Sequence, residues 1–235
     1  MEKYQWTEEG TKNFWKFFTS HAKRGNQFFS KRFASYLCRL IFKYSKSGNF
    51  LDFGCGDGSL LHELNNKITS MPNFGQALHG IDYGSDAKVG IDQSIKIDSF
   101  DPKNSILPYN QNYFDTICAF EVFEHLTDEK LDFIVSEFWR ISTDGGRIIV
   151  SVPNNEELEM SHILCPNCNH YFHKMQHMQT FTATSLVSLF NRHNFKAIRT
   201  IETNLNNYNN WAKRFISLFV SYPKINLIGI FEKKS

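Results

Sequence analysis

The fold of this chain can be worked out from residues 49–61, Asn-Phe-Leu-Asp-Phe-Gly-Cys-Gly-Asp-Gly-Ser-Leu-Leu. A short apolar run breaks into alternating glycines, and apolar residues then resume at helical spacing. This order predicts a buried strand, a tight turn and the start of a helix. Such a turn lets a ligand approach bare backbone, and the N-terminus of the helix adds a positive dipole end.

The spacing of the glycines narrows the choice of ligand. Gly54, Gly56 and Gly58 form G-x-G-x-G, whereas a dinucleotide-binding turn has G-x-G-x-x-G, and a phosphate-binding loop needs Gly-Lys-Ser/Thr after the turn. Asp52 places a carboxylate just before the glycines, where it disfavours a pyrophosphate and favours a cationic ligand. Both features argue against a nicotinamide-dependent dehydrogenase.

The run Leu51–Leu61 resembles motif I of the class I S-adenosylmethionine-dependent methyltransferases, whose ligand carries an ammonium and a sulfonium group. The resemblance extends from about Asn49 to Asn154, and more loosely to Ser235. It implies an α/β, Rossmann-like fold with a seven-stranded, mostly parallel sheet and helices on both faces. It also implies S-adenosyl-L-methionine as the cofactor and a transferase activity on one-carbon groups.

The resemblance also implies which residues bind the cofactor. Asp82 ends the second predicted strand, where a Rossmann-type fold holds ribose hydroxyls. Asp98, after the third strand, is the candidate for contact with the adenine amine, and Asp101 fits nearly as well. The complete predicted set is Asp52, Gly54, Cys55, Gly56, Asp82, Tyr83, Asp98 and Phe120.

The chain divides into an N-terminal helical extension, residues 1–48, and a methyltransferase domain, residues 49–235, with a Cys/His-rich insertion at about 155–180. Aromatic residues of the extension are expected to pack on the core or, alternatively, to cover the substrate. Apolar periodicity predicts strands at 50–53, 77–82, 95–97, 113–120, 147–152, 195–201 and 225–231. It predicts helices at 12–21, 29–44, 59–67, 131–141, 181–190 and 211–220.

Composition indicates a globular protein with an uneven charge distribution. The 235 residues are 41% hydrophobic, and no stretch approaches the roughly 20 apolar residues of a transmembrane helix. Because the N-terminus also lacks the apolar region of a signal peptide, we expect a soluble, cytoplasmic protein. Thr11 to Leu51 contains no Asp or Glu but nine Lys and Arg residues. This asymmetry predicts an anionic partner or, equally, the solvated face of a packed helix.

The candidate catalytic residues are Glu121, Glu124 and His125, which follow the fourth predicted strand. Methyl transfer to oxygen needs a base or a metal that favours the oxyanion. In many class I methyltransferases the similar acids cap backbone near the cofactor. In the ubiquinone-pathway O-methyltransferases and the small-RNA 3′-terminal 2′-O-methyltransferases, a similar E-x-x-E-H run is associated with a divalent ion. The sequence fits both interpretations.

A second group of potential metal ligands lies in the insertion. Cys165, Cys168, His173 and His177 have spacings compatible with tetrahedral zinc, so we expect one structural Zn²⁺. A polar surface loop with incidental cysteines is the alternative. The run from His177 to Thr182 also resembles the segment in which the RNA 3′-terminal enzymes place their last metal-binding histidine. His177 cannot readily serve both sites.

Together these patterns predict an S-adenosylmethionine-dependent methyltransferase that methylates an oxygen of a polar or anionic small molecule, such as a sugar or glycan precursor. One alternative is a metal-dependent RNA 3′-terminal 2′-O-methyltransferase. After Leu51, however, acidic residues outnumber basic ones, which argues against an extended groove for nucleic acid. A non-catalytic scaffold with the same fold is the other alternative. The sequence does not specify the oligomeric state.

Overall fold

A computed structural model describes residues 1–20, 29–68, 77–83, 94–100, 106–208 and 222–234. The predicted helix at 211–220 and the alternative adenine contact Asp101 lie outside these ranges. The strands are β1 (Glu2–Lys3), β2 (Phe50–Phe53), β3 (Leu78–Tyr83), β4 (Ile95–Phe100), β5 (Phe114–Phe120), β6 (Ser142–Pro153), β7 (His162–Leu164), β8 (His170–His173), β9 (Phe195–Thr203) and β10 (Asn226–Lys233). The helices are α1 (Glu8–Ser20), α2 (Phe29–Tyr44), α3 (Ser59–Ile68), α4 (Asp128–Ile141) and α5 (Ala183–Arg192).

Seven of these strands form one sheet with the spatial order β4-β3-β2-β5-β6-β10-β9. The neighbours from β4 to β6 are parallel, and β10 is antiparallel to both β6 and β9. The last two predicted strands, 195–201 and 225–231, therefore form an antiparallel pair. From β2 the chain first adds β3 and β4 on one side of the sheet and then β5 and β6 on the other side. A crevice therefore lies beyond the carboxyl ends of β2 and β5, where α/β sheets bind ligands.

Helices cover both faces of this sheet, as predicted. All four residues of β2 are buried, which is typical of a parallel strand with helices on each side. One core cluster packs α4 and α5 against the sheet through Leu131, Ile134, Phe138, Leu186 and Phe190. The opposite cluster packs α2 and α3 against it through Leu37, Ile41, Leu60, Leu61 and Leu64. None of the described helices is long and apolar enough to cross a membrane.

The N-terminal residues differ from the prediction of a wholly helical extension. Glu2 and Lys3 form a strand that pairs in parallel with β8, and the Tyr4 amide donates to the carbonyl of Tyr171 at 2.9 Å. The ring of Tyr4 also packs edge-on against Phe172. This strand depends on a partner more than 160 positions away, which no local periodicity could indicate.

The Cys/His-rich insertion contains an antiparallel hairpin. Its strands β7 and β8 pair in the register His162 with His173 and Leu164 with Tyr171. The turn of the hairpin is closed by the amide of Cys165, which donates to the carbonyl of His170 at 2.9 Å. Together with β1, the hairpin makes a second sheet of order β1-β8-β7. The N-terminus and the insertion therefore form one structural unit at the carboxyl edge of the main sheet.

Two strands of the main sheet exceed their predicted lengths by three residues or more. The strand predicted at 95–97 extends to Phe100, and the one predicted at 147–152 begins at Ser142. Ser142 pairs with Phe114, and the register of β5 with β6 then shifts before Thr116. Residues 143–146, which include Asp144-Gly145-Gly146, have no partner in the register of β5 with β6, so they form a bulge between the two paired parts of β6.

Candidate active site

The glycine turn between β2 and α3 requires glycine for two reasons. Gly54, Gly56 and Gly58 have φ angles of 78°, 55° and 75°, in the left-handed region that disfavours other residues. A Cβ atom at Gly54 would also lie only 2.4 Å from Cγ2 of Val122. The turn therefore packs directly against the segment that follows β5.

Two predicted cofactor residues place carboxylates beside this turn. Oδ2 of Asp82 accepts a hydrogen bond from the Gly56 amide at 2.7 Å. Asp52 is 2% exposed, and its Oδ2 has no hydrogen-bond partner among the described residues. Burial raises the pKa of both carboxyls, and the charge of Asp82 raises that of Asp52 further. A cationic ligand group at this position would favour their ionised forms.

Tyr83 ends β3, and Asp98 lies in β4 opposite Ile81. The Tyr83 hydroxyl donates to the carbonyl of Glu8 at 3.2 Å, which joins the end of β3 to the start of α1. Oδ2 of Asp98 accepts from the Tyr109 hydroxyl at 3.1 Å.

The side chains of Cys55 and Phe120 face the core instead of the crevice. Both belong to the cluster that α2 and α3 form with the sheet. Burial raises the pKa of the Cys55 thiol, and its Sγ would lie 2.8 Å from a Cβ atom added at Gly80. Only the backbone of Cys55 therefore faces the turn.

The segment after β5 begins with a strained acidic residue. Glu121 has a φ of 53°, and its amide donates to the carbonyl of Ser151 on β6 at 2.9 Å. The Ser151 hydroxyl in turn donates to Oε1 of Glu121 at 2.8 Å. Burial raises the pKa of Glu121 to about 7. Its carboxyl is thus held at the carboxyl edge of the sheet with a pKa suited to proton transfer.

His177 joins Glu124 and His125 of this segment. One ligand atom from each of the three residues lies within 4.8 Å of the others. The amide of Met178 donates to the carbonyl of Glu124 at 2.7 Å, which fixes His177 beside the acidic segment. Both carboxylate oxygens of Glu124 and Nδ1 of His125 are buried, and no described residue forms a hydrogen bond with them.

The electrostatics of this group fit a divalent cation. Burial, with the nearby charge of Glu121, raises the pKa of Glu124 well above its usual value. Burial, with His177, lowers the pKa of His125 to about 3. The histidine is therefore neutral at physiological pH and able to act as a ligand. A carboxylate and two imidazoles are a donor set that borderline divalent ions accept.

Glu156 and His173 form a second group that also includes His177. Oε2 of Glu156 lies 2.5 Å from Nδ1 of His177, and Oε1 lies 3.4 Å from Nε2 of His173. Sequence reasoning missed Glu156 because it lies in a polar stretch without periodicity. The sequence feature that could have identified Glu156 is its position soon after the end of β6, the strand beside β5.

The predicted zinc site is corrected by the structure. His173 is at the base of the hairpin, opposite His162, whereas Cys165 and Cys168 lie in the turn at the other end. Cys168 is exposed, and neither cysteine belongs to the two groups of converging ligands found among the described residues. The extended strand β8 separates the two cysteines from the histidines, so the four side chains do not share one metal position.

Helix α1 covers His125. The ring of Trp15 lies edge-on to that of His125, with centroids 4.8 Å apart. Nε1 of Trp15 donates to Oε1 of Gln176 at 2.6 Å. The alternative prediction, that N-terminal aromatic residues cover the site, describes Trp15 better than packing on the core.

Comparison with known proteins agrees with this geometry. A family model described as a methyltransferase domain matches residues 25–200. An S-adenosylmethionine-dependent methyltransferase from Mesorhizobium loti has a TM-score of 0.60 at 13% identity, over 85% of this chain and 98% of that chain. One from Archaeoglobus fulgidus has a TM-score of 0.57 at 15% identity, over 87% and 98% of the two chains.

A third structure is of Haemonchus contortus phosphoethanolamine N-methyltransferase 2 in complex with S-adenosyl-L-methionine. Its TM-score is 0.58 at 13% identity, over 85% of this chain and 53% of that chain. No curated protein matches the sequence. At these identities the structural matches show a common fold, and the family model spans most of the chain. This chain therefore belongs to the methyltransferase-domain family, and it shares its fold with S-adenosylmethionine-dependent methyltransferases.

Proposed function

We propose that this enzyme methylates an oxygen atom of its acceptor, and that a divalent cation held by Glu124, His125 and His177 assists the transfer. The observation that carries the proposal is the convergence of these three ligand atoms within 4.8 Å of one another. The site adjoins the glycine turn, since Val122 contacts Gly54. A methyl donor in the turn and an acceptor at the cation would therefore be neighbours.

S-adenosyl-L-methionine would bind along the glycine turn, and when bound it supplies a methyl group on a positively charged sulfur. We assign Asp82 to the ribose hydroxyls and Asp52 to the positive charge of the ligand. Gly54 and Gly56 would provide the backbone approach. Tyr83 ends β3, the strand beside β2, and Asp98 lies on the next strand, β4, which supports their assignment to the adenosine part.

We expect Asp82→Asn to weaken binding of S-adenosylhomocysteine by about 10- to 100-fold, because a hydrogen bond to a charged group contributes about 1.5–3 kcal/mol. Isothermal titration calorimetry measures this change. Glu63→Gln on α3 is the matched control, since it removes the same charge from a residue that pairs with Lys67. Equal affinity of Asp82→Asn and the unaltered protein would contradict the assignment.

Transfer to a hydroxyl requires that the acceptor oxygen lose its proton as the new bond forms. We propose that the carboxylate of Glu121 accepts this proton, because its pKa of about 7 lies near the working pH and Ser151 fixes its position. A divalent cation, when bound, supplies positive charge that favours the deprotonated acceptor oxygen. Trp15 and α1 would exclude water from the site, which strengthens these electrostatic effects.

We infer that the acceptor is a polar or anionic small molecule with a hydroxyl group, such as a sugar or glycan precursor. The basic N-terminal region supports the negative charge, since Lys31, Arg32, Arg39, Lys43 and Lys46 lie on or just after α2 without neighbouring acids in sequence. A second candidate is the 3′ end of an RNA. The meeting of His177 with Glu124 and His125 favours it, because the RNA 3′-terminal enzymes that this segment resembles use such a histidine.

Methyl transfer from labelled S-adenosylmethionine distinguishes these acceptors. We expect labelling of sugar phosphates or nucleotide sugars, and less than a tenth as much labelling of short RNA. The matched RNA control carries a 2′-O-methyl group at its 3′ end. Labelling of free-ended RNA alone would replace the small-molecule proposal with the RNA one, and transfer only to nitrogen would contradict both.

We expect Glu124→Gln to weaken Mn²⁺ binding by at least about tenfold. Losing a residue that binds the metal should weaken binding at least as much as losing a residue that only hydrogen-bonds to a metal ligand. Glu121→Gln should leave Mn²⁺ affinity within about threefold and slow transfer by about 10²- to 10⁴-fold. Glu129→Gln, exposed at the start of α4, is the matched control. Full transfer activity in the presence of a chelator would contradict the cation-assisted mechanism.

The pH dependence of Mn²⁺ affinity gives an independent test. Because the pKa of Glu124 is raised, its carboxyl must lose a proton before it can bind the cation. His125 is already neutral at pH 6, since its pKa is about 3. We therefore expect affinity to rise with pH through the range in which this carboxyl loses its proton, by at most about tenfold per pH unit, with a smaller slope in Glu124→Gln. Calorimetry would contradict this if affinity fell as pH rose.

A further inference from the structure

The two groups of converging ligands share His177, so they could hold one cation or two. The hydrogen bonds around His173 decide between these arrangements. Its Nδ1 accepts the backbone amides of Met175 at 3.3 Å and His177 at 3.1 Å. Backbone amides can only donate, so Nδ1 of the neutral ring carries the lone pair and Nε2 carries the proton. Nε2 of His173 is thus a donor and has no lone pair to offer a metal.

The hydrogen bond between His177 and Glu156 fixes the opposite tautomer. A carboxylate accepts, so Nδ1 of His177 donates its proton to Oε2 of Glu156 at 2.5 Å. Nε2 of His177 then carries the lone pair. His177 can bind a single metal ion through this atom, and Glu156 occupies the other side of its ring.

Glu156 contacts both histidines at once. The rings of His173 and His177 are stacked, with centroids 4.4 Å apart and planes inclined by 19°. One carboxylate oxygen faces each ring, and Nε2 of His173 lies 3.4 Å from Oε1. His173 is 3% exposed, and no described residue forms a hydrogen bond with its Nε2, so its contact with Oε1 of Glu156 at 3.4 Å is electrostatic. The carbonyl of Glu156 is in turn held by the Thr180 hydroxyl at 3.0 Å.

We propose that Glu156 and His173 are positioning residues that present Nε2 of His177 to a single cation, and that they do not form a second metal position. His173, fixed by two backbone amides, orients the Glu156 carboxylate. Glu156 then sets the tautomer and ring orientation of His177. Such carboxylate–histidine pairs make the imidazole a better ligand by increasing its basicity. The expected effect on cation binding rests on the proposed function, whereas the arrangement of Glu156, His173 and His177 does not.

The tautomers can be measured without any metal. In the metal-free protein, we expect long-range ¹H–¹⁵N correlation NMR to show the Nε2–H form of His173 and the Nδ1–H form of His177. An Nδ1–H form of His173 or a neutral Nε2–H form of His177 would overturn the proposal. Because this measurement needs no cation, it stands even if the proposed O-methylation mechanism fails.

Metal titration tests the consequence. We expect one Mn²⁺ per chain in the unaltered protein, and an affinity about 10- to 100-fold lower in Glu156→Ala. Glu156→Gln keeps an acceptor oxygen for His177 and should recover part of this loss. His173→Asn keeps an acceptor near the position of Nδ1, so it should retain the fold and one Mn²⁺, with weaker affinity. Glu159→Gln, exposed on the same segment, is the matched control for charge.

The outcomes separate this inference from the proposed function. Two Mn²⁺ per chain, with one lost in His173→Asn, would show that Glu156 and His173 bind a second metal and overturn the proposal. One Mn²⁺ of unchanged affinity in Glu156→Ala would also overturn it. If the unaltered protein binds no Mn²⁺, the cation-assisted function fails, and the NMR result alone decides the positioning role. Unchanged S-adenosylhomocysteine binding in each variant confirms that the cofactor site remains folded.

Discussion

The close approach of Gly54 to Val122 is the contact on which the site depends. A side chain at position 54 would collide with Val122, so the cofactor turn and the segment after β5 can meet only if this residue is glycine. The contact brings the carboxyl end of β2 against that of β5, the two strands that flank the crevice. The proposed methyl transfer requires a short distance between the carboxyl ends of β2 and β5, because the donor and acceptor must react within van der Waals distance.

The same edge of the sheet concentrates acidic side chains at a cost in electrostatic energy. Burial raises the pKa of Asp52, Asp82, Glu121 and Glu124, so each is harder to ionise than in water. Such a cluster is stable when protons, hydrogen bonds or cations compensate for the lost hydration. A sulfonium ligand on one side of the Gly54–Val122 contact and a divalent cation on the other would each provide compensation. The free energy of binding both ligands would thus be linked through shared electrostatics.

Local sequence patterns predicted the main sheet well because its strands and helices have strong periodicity and clear ends. Phe50–Phe53 was predicted without error, and the acid at the end of β3 does lie against the glycine turn. The insertion was predicted poorly, since cysteine and histidine spacing does not say where a hairpin turns. With Cys165 in the turn and His173 at the base, the expected zinc ligands are separated. Glu156 was missed because only tertiary structure brings it to the histidines.

The two-residue strand β1 has a consequence for how molecules reach the histidines. It ties α1 to the hairpin through Glu2 and Lys3, alongside the aromatic contacts of Tyr4 and Trp6 with Phe172. So short a ladder can open by local fluctuation, at a free-energy cost far below that of global unfolding. β1 is thus the weak part of the attachment of this cover, because the first residue of α1, Glu8, is also held by Tyr83 and Lys130. Entry and exit of the acceptor could proceed by this local opening, and the catalytic groups would keep their positions throughout.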